Sequence, residues 1–149
     1  MATIRDHPYG RFVFQVDFGG ADPDSVDGGF EEVGPIAAVI DVIEYRAGND
    51  RVNTVRKLPG LHHVHDVTLK RGVVGSTTLF TWFRAGTLGQ VDRRNVTIRL
   101  LNEDLSDVAF TWRLVRAWPV KYVVKSLSAT SSEVAIEELV LTCEGIDVE

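Results

Sequence analysis

His62-His63-Val64-His65-Asp66 places four imidazole or carboxylate groups within five residues, the densest set of metal-ligating and proton-transferring side chains in the chain. On an extended strand, side chains alternate, so His63 and His65 share one face while His62 and Asp66 share the other. At most two of them can then reach one ion directly, whereas a zinc site takes three or four protein ligands. Others would have to come from His7, Cys143 or scattered carboxylates. Exposed strand histidines are the favoured reading, and a small metal-binding barrel enzyme using the His62–Asp66 cluster is the alternative from a different functional class. Gly72-Val-Val-Gly-Ser-Thr77 is reminiscent of a phosphate-binding turn. It lacks the lysine of a nucleotide-binding loop and its glycines stand too close together, so a strand-to-helix corner capped by Ser76 accounts for the same residues. No Gly-x-Ser-x-Gly elbow occurs, and Cys143 lies in an apolar strand pattern. No catalytic set, cofactor or bound metal is expected. Trp82 and Trp112 fall in phase with other apolar residues and read as core, while Trp118 fits either core or surface use.

The elements that would carry these residues are mostly strands. Pro59-Gly60 is turn chemistry. From His65 to Val73 the residues alternate, with Val67 and Leu69 on one side and Asp66, Thr68 and Lys70 on the other. Leu79, Phe80, Trp82 and Phe83 then make one helical face, with Ser76 placed to accept a first-turn N–H and Gly86 placed as a left-handed cap. Only here does a period of 3.6 beat a period of 2.

Upstream, Met1–Tyr9 reads as a loose lead-in. Arg11–Phe18 is an alternating strand with Phe12, Phe14, Val16 and Phe18 on one face, followed by a turn-rich acidic loop, Gly19–Gly29. Phe30–Val33 and Ile36–Tyr45 are strands separated by Gly34-Pro35. The second is apolar on both parities, as expected of a strand buried on both faces or packed against a neighbouring subunit on one of them. Arg46–Lys57 loses the hydrophobic period and carries Arg46, Arg51, Arg56 and Lys57, which suits a long hairpin, an arm or a solvated loop.

Downstream, Leu88–Asn95 is a polar connection, Val96–Asn102 a strand, and Glu103–Asp107 a tight acidic turn. Val108–Leu114 alternates with Val108, Phe110, Trp112 and Leu114 facing in, and Pro119 is expected to mark an edge, bend or end. Val120–Leu127 reads as a further extended piece. Glu133–Ile146 is the last strand. Its parity changes at Glu137-Glu138, where a β-bulge would bring Val134, Ile136, Leu139, Leu141 and Cys143 to one side. The sum is seven to nine strands and one short α-helix, a mainly β chain forming an antiparallel barrel or sandwich of two packed sheets.

Size and charge narrow the functions. The 149 residues suit a single domain with a real core. Sixteen basic against twenty-one acidic residues give a net charge of −5, which argues against specific nucleic-acid binding, where phosphate neutralisation dominates. One cysteine cannot form an internal disulfide. The expectation is cytoplasmic synthesis without a signal peptide, since Arg5, Asp6 and Arg11 leave no apolar stretch at the start. No segment approaches the roughly 18 apolar residues of a membrane span, so stable membrane insertion of the monomer is not expected. Two-sided apolar strands without a catalytic set point to self-association.

Ile43-Glu-Tyr-Arg46, Lys57-Leu-Pro-Gly60, Asp66-Val-Thr-Leu-Lys-Arg-Gly-Val73 and Leu79-Phe-Thr-Trp82 together resemble the tail tube protein family of contractile phages. So do Val96-Thr-Ile-Arg-Leu-Leu-Asn-Glu103, Thr111-Trp112, Ala117-Trp-Pro119 and Ser132-Glu-Val-Ala-Ile-Glu-Glu-Leu-Val-Leu141. The likeness runs from Tyr9 to Val148 and is nearest to inner tube proteins of extracellular contractile injection systems. It implies a structural subunit: six copies in a ring, rings stacked into a hollow tube, a contracting sheath around it, baseplate and cap proteins at its ends and cargo in its lumen. A tube-initiator or baseplate-proximal paralogue shares the same pattern. By the same likeness 44–60 is an arm toward the adjacent subunit or next ring, with Glu44, Tyr45, Arg46, Arg51, Arg56, Lys57, Pro59 and Gly60 as contact residues. The acidic Gly19–Gly29 loop and the His62-His63 pair depart from the family pattern.

Overall fold

The computed structural model describes residues 4–19 and 29–149; most of the acidic Gly19–Gly29 loop and the first three residues lie outside the described residues. Nine strands and one helix follow in order: β1 (Phe14–Asp17), β2 (Glu32–Gly34), β3 (Ala38–Tyr45), β4 (Arg56–Val64), β5 (Val67–Gly72), α1 (Thr78–Thr87), β6 (Arg94–Leu101), β7 (Val108–Val124), β8 (Ile136–Thr142) and β9 (Gly145–Val148). Seven of these form one antiparallel sheet in the order β1-β6-β7-β8-β5-β2, with β9 also paired to β7; β3 and β4 pair only with each other. The expected mainly β fold with one short helix is therefore what the chain adopts.

Two layers arise because one long strand serves both. The N-terminal part of β7 pairs with β6 and β9, and its C-terminal part pairs with β8. Between the two, Val115 and Arg116 face the single residue Asn95, and Arg116 takes the left-handed conformation at φ 51°. Its N–H donates to Asn95 Oδ1 at 3.0 Å. Such a bulge sharpens the twist and bends the strand, which carries it from one layer to the other. Val16, Phe18, Val67, Leu69, Val96, Ile98, Leu114, Ala117, Leu139 and Leu141 then meet in one core with Leu79 and Trp82 of α1. Trp82 stacks on Phe18 at 6.0 Å and donates its indole N–H to the Asp92 carbonyl at 2.7 Å, satisfying the one polar atom it takes inside.

Several expectations are corrected by this packing. Strand β1 begins at Phe14, and Phe12, expected inside, is 74% exposed. Pro119 does not end β7. It sits opposite Leu141 beyond the reach of β6 and β9, where β8 is the one paired neighbour among the described residues, so it takes the expected edge position, and the register shift between Pro119 and Lys121 follows it. The register is unbroken from Phe110 to Leu114, so Phe110 shares the face of Trp112 and Leu114 but lies exposed at its margin, while Ala109, the extra residue of a bulge, and Thr111, expected outward, are buried. The last strand is two strands, and β8 pairs with β5 without any bulge. Its inward parity is Glu137, Leu139 and Leu141, and Val134 is 75% exposed outside the strand. The apparent parity change came from reading a charged residue as necessarily outward.

Helix α1 also ends differently. Gly86 is inside it, and Gly89 at φ 79° supplies the left-handed turn. The Gln90 N–H donates to the Ala85 carbonyl and the Gly89 N–H to the Gly86 carbonyl, the paired bonds of a Schellman cap. At the other end the cap position is Thr77, without a side-chain cap bond, and Ser76, expected as the cap, stands one residue earlier, where its hydroxyl accepts from the Thr78 N–H at 3.3 Å. Leu79 and Trp82 are buried, Phe83 packs at the edge of the core, and Phe80 is turned outward against Tyr122.

Candidate assembly surface

Strands β3 and β4 make a ribbon from Ala38 to Val64 that stands apart from the main sheet. The ribbon is thus longer than the expected 44–60 arm and begins before it. Every residue of β3 is exposed. Val39, Ile43 and Tyr45 face one side with Leu58, while Ile40 and Val42, each 61% exposed, face the other. An apolar ribbon uncovered on both faces is unfavourable in water, and an isolated two-stranded hairpin is marginal at best. The two-sided apolar pattern expected to be buried or packed on a neighbour is left without cover in a single copy.

The eight expected contact residues lie on this ribbon. Glu44 pairs with Lys57 and Tyr45 with Arg56 across the strands. Arg46 opens the tip and donates to the carbonyls of Val52 and Asp50 and to Asn53 Oδ1. Asp50 accepts from the Ala47 N–H at 3.0 Å and from Arg56 at 3.3 Å. The tip is therefore a built turn, and among the described residues Arg51 and Lys57 take part in no ion pair.

Pro59-Gly60, expected as a turn, runs through the middle of β4. Pro59 faces Val42, while Gly60 and Leu61 together face Asp41, a bulge. A β-carbon on Gly60 would stand 3.0 Å from the Asp41 carbonyl oxygen and 3.1 Å from Ile43 Cγ1, so glycine is needed for close backbone approach. Proline is tolerated because a two-stranded ribbon has only edge strands. Sequence reasoning missed the role of Asp41 and Leu61, since nothing in the letters marks a bulge that far from any turn.

The histidine cluster lies at the root of the same ribbon. His63 and His65 do share a face, with ring centres 5.8 Å apart, and Asp41 of β3 stands 3.8 Å from His63 Nδ1. No three His, Cys, Asp or Glu side chains come together as a metal-ligand group among the described residues. Cys143 is half-buried, and burial, then the nearby Asp66 carboxylate, pushes its thiol up from the usual range, away from a reactive thiolate. The Gly72–Thr77 corner is structural: Ser76 engages Thr78, and Arg71 donates from below to the Ser76 carbonyl and the Thr78 hydroxyl, both at 3.4 Å.

Residues 10–147 match the model of the family described as T4-like virus tail tube protein gp19. No curated protein matches. Among solved structures, a chain of the sheath-tube complex of an extracellular contractile injection system, PVC, in its extended state is 30% identical. The match covers 97% of this chain and 93% of that one at a TM-score of 0.84. The anti-feeding prophage cap, described as the tube-terminating cap, is 26% identical over 100% of this chain and 95% of its own, at a TM-score of 0.85. The PVC sheath/tube terminator is 30% identical, covering 97% and 98% at a TM-score of 0.84. Hcp1 from Flavobacterium johnsoniae, at 16% identity and a TM-score of 0.57, shares the fold.

Proposed function

Because the chain belongs to the T4-like virus tail tube protein family, we propose that it is a structural tube subunit, six copies of which close into a ring and stack as the inner conduit of a contractile particle. A sheath surrounds the tube, baseplate and cap proteins hold its ends, cargo passes through its lumen, and the subunit itself turns over no substrate. The single observation that carries this reading is the β3–β4 ribbon, apolar on both faces and covered on neither. Neighbouring copies would remove that surface from water and pair the free strand edges, converting an aggregation hazard into a specific contact. Backbone hydrogen bonds repeated around a ring would also resist axial load.

The ribbon supports the reading residue by residue. Glu44, Tyr45, Arg56 and Lys57 form its outer cross-strand pairs, Arg46 shapes the tip, Arg51 projects from it, Pro59 pairs with Val42, and Gly60 builds the bulge with Leu61. Deleting Asn49–Val55 removes Asp50, which holds the Ala47 N–H and Arg56. The core sheet contains none of these residues. The shortened chain should therefore fold, and negative-stain microscopy should show no rods. Long intact tubes from that variant would overturn the role of the arm.

A second reading rests on the likeness to the cap and the terminator, whose TM-scores of 0.85 and 0.84 stand beside the 0.84 of the sheath-tube chain. An end-binding paralogue would give single rings that block growth, whereas a tube body subunit would give rods whose length rises with concentration. Rod length in purified protein separates the two.

A further inference from the structure

The ribbon joins the main sheet through two short links, 35–37 into β3 and 65–66 out of β4. One backbone bond ties the links together, from the His65 N–H to the Ala37 carbonyl at 2.9 Å. Three of the chain's four histidines stand at this root. His63 is the last residue but one of β4, and His65 lies in the link that leads to β5. Their rings lie side by side, with centres 5.8 Å apart and planes inclined at 49°. Asp41 of β3 brings its carboxylate within 3.8 Å of His63 Nδ1. The His63 and Asp41 side chains are 53% and 56% exposed, and His65 is exposed as well, so an ion can reach all three from solvent.

We infer that His63 and His65 chelate one divalent ion of the zinc class, with Asp41 behind His63, and that the ion clamps the ribbon to the sheet at its root. Two imidazoles bound to one tetrahedral zinc have ring centres about 5 to 6 Å apart. The observed 5.8 Å is within that span, so side-chain rotation is enough to converge the two nitrogens. A histidine that ligates through one ring nitrogen is commonly oriented by a carboxylate on the other. Asp41 faces Nδ1 of His63 and so leaves Nε2 for the ion. It serves from behind and is not a third ligand, because no three such side chains converge among the described residues. Water completes the coordination. Imidazole pairs select zinc, nickel and copper, whereas magnesium and calcium prefer oxygen ligands.

His62 stands opposite Ile40 on the other face of the ribbon and takes no part. One ligand belongs to the ribbon and the other to the link, with Val64 alone between them. Chelation therefore restricts the short stretch about which the ribbon would swing, and it lowers the freedom of a two-stranded element that is marginal by itself. Both ligands come from one chain, so the site does not depend on ring formation.

Calorimetric titration of the untagged full chain with zinc chloride should give one ion per chain, and magnesium chloride should give no binding heat. His63→Ala and His65→Ala should each abolish zinc binding, Asp41→Asn should weaken it about tenfold, and His62→Ala should leave it unchanged. Hydrogen exchange at the His65 amide should slow when zinc is added to the unaltered chain, and should not respond to zinc in His63→Ala. Magnesium bound as well as zinc, or a loss in His62→Ala as severe as in His63→Ala, overturns the chelate. Zinc held through both rings without any slowing at the His65 amide overturns the clamp.

Discussion

Arg71 Nε donates to Glu137 Oε1 at 2.6 Å, from a side chain that is 0% exposed to one whose residue is 4% exposed. The two are direct cross-strand partners of β5 and β8 and occupy the inward parity beside Leu69 and Leu139. Neighbouring polar groups from two further elements serve them. Tyr122 donates its hydroxyl to Glu137 Oε2 at 2.6 Å, and the far side of the guanidinium reaches the Ser76 carbonyl and the Thr78 hydroxyl. The pair thereby ties β5, β8, β7 and the entrance to α1 together at one point. Among the described residues, no buried side-chain nitrogen or oxygen lacks a hydrogen-bond partner.

Removing one member of this pair should be far worse than removing both. Glu137→Leu alone leaves a buried guanidinium without its counter-charge, and breaking such a pair costs about 3 to 5 kcal/mol. The double variant Arg71→Met/Glu137→Leu should regain most of that loss, because an apolar pair of similar size needs no solvation. Urea unfolding of the three proteins checks this. A double variant as unstable as the single one would show that the network contributes by its geometry more than by its charge balance.

Tyr122 links the same network to pH. Burial, then the hydrogen bond to Glu137, pushes its phenol up from 10.0 to about 12. Between those values the unfolded chain has released the proton and the folded chain still holds it, so the folded state binds more protons and stability falls as pH rises. The contribution is fully present below pH 10 and is lost as pH climbs through about 12. Tyr122→Phe should therefore flatten the alkaline arm of the stability profile. It should also cost about 1 to 3 kcal/mol at neutral pH, because a buried carboxylate oxygen loses its donor. Unfolding midpoints across the alkaline range, compared for the two proteins, measure both effects.

The parts of the fold that follow simple periodicity were legible from the sequence: Val67 and Leu69, Leu139 and Leu141, and the helical face of Leu79 and Trp82 are in the core as their spacing implies. Three physical situations hid the rest. At Arg71 and Glu137, charges take inward positions because each neutralises the other, and a hydrophobic pattern is blind to that. Along β7, bulges at Ala109, Val115-Arg116 and Val120 shift the phase repeatedly, and their cause is the partner strand. In the ribbon, Pro59-Gly60 has the letters of a turn but runs through β4, Pro59 paired with Val42 and Gly60 in a bulge with Leu61 against Asp41, so local chemistry gave way to cross-strand pairing. The candidate surface was legible where it is most polar, at Arg46 to Lys57, and only half legible at Val39 to Ile43. There the sequence showed two apolar faces without saying that a single copy leaves both uncovered.

The close of α1 offers a local test. Gly89 is in the left-handed region at φ 79° with nothing near its missing β-carbon, so the only penalty for Gly89→Ala is conformational. That penalty is about 1 to 2 kcal/mol for a residue with a β-carbon in this region. Gly86→Ala, by contrast, lies within the helix and should stabilise by about 0.5 to 1 kcal/mol. Thermal melts of the two variants should move in opposite directions. If Gly86→Ala is the destabilising one, the cap has been placed on the wrong glycine.

Gly60 separates folding from assembly. The β-carbon of a Gly60→Val side chain would stand 3.0 Å from the Asp41 carbonyl oxygen and 3.1 Å from Ile43 Cγ1, tight contacts that β3 must yield to by a few tenths of an ångström at the bulge. The ribbon shares no strand pairing with the main sheet, so the damage should stay local. The variant should keep the unaltered chain's circular dichroism and nearly its thermal midpoint, yet elute as a single copy on size exclusion where the unaltered chain forms rings. A Gly60→Val protein that unfolds with the core would show that the ribbon supports the sandwich. One that assembles normally would show that the ribbon's mid-strand geometry is dispensable, and that the contact lies wholly at the tip around Arg51 or at its root beside His63 and His65.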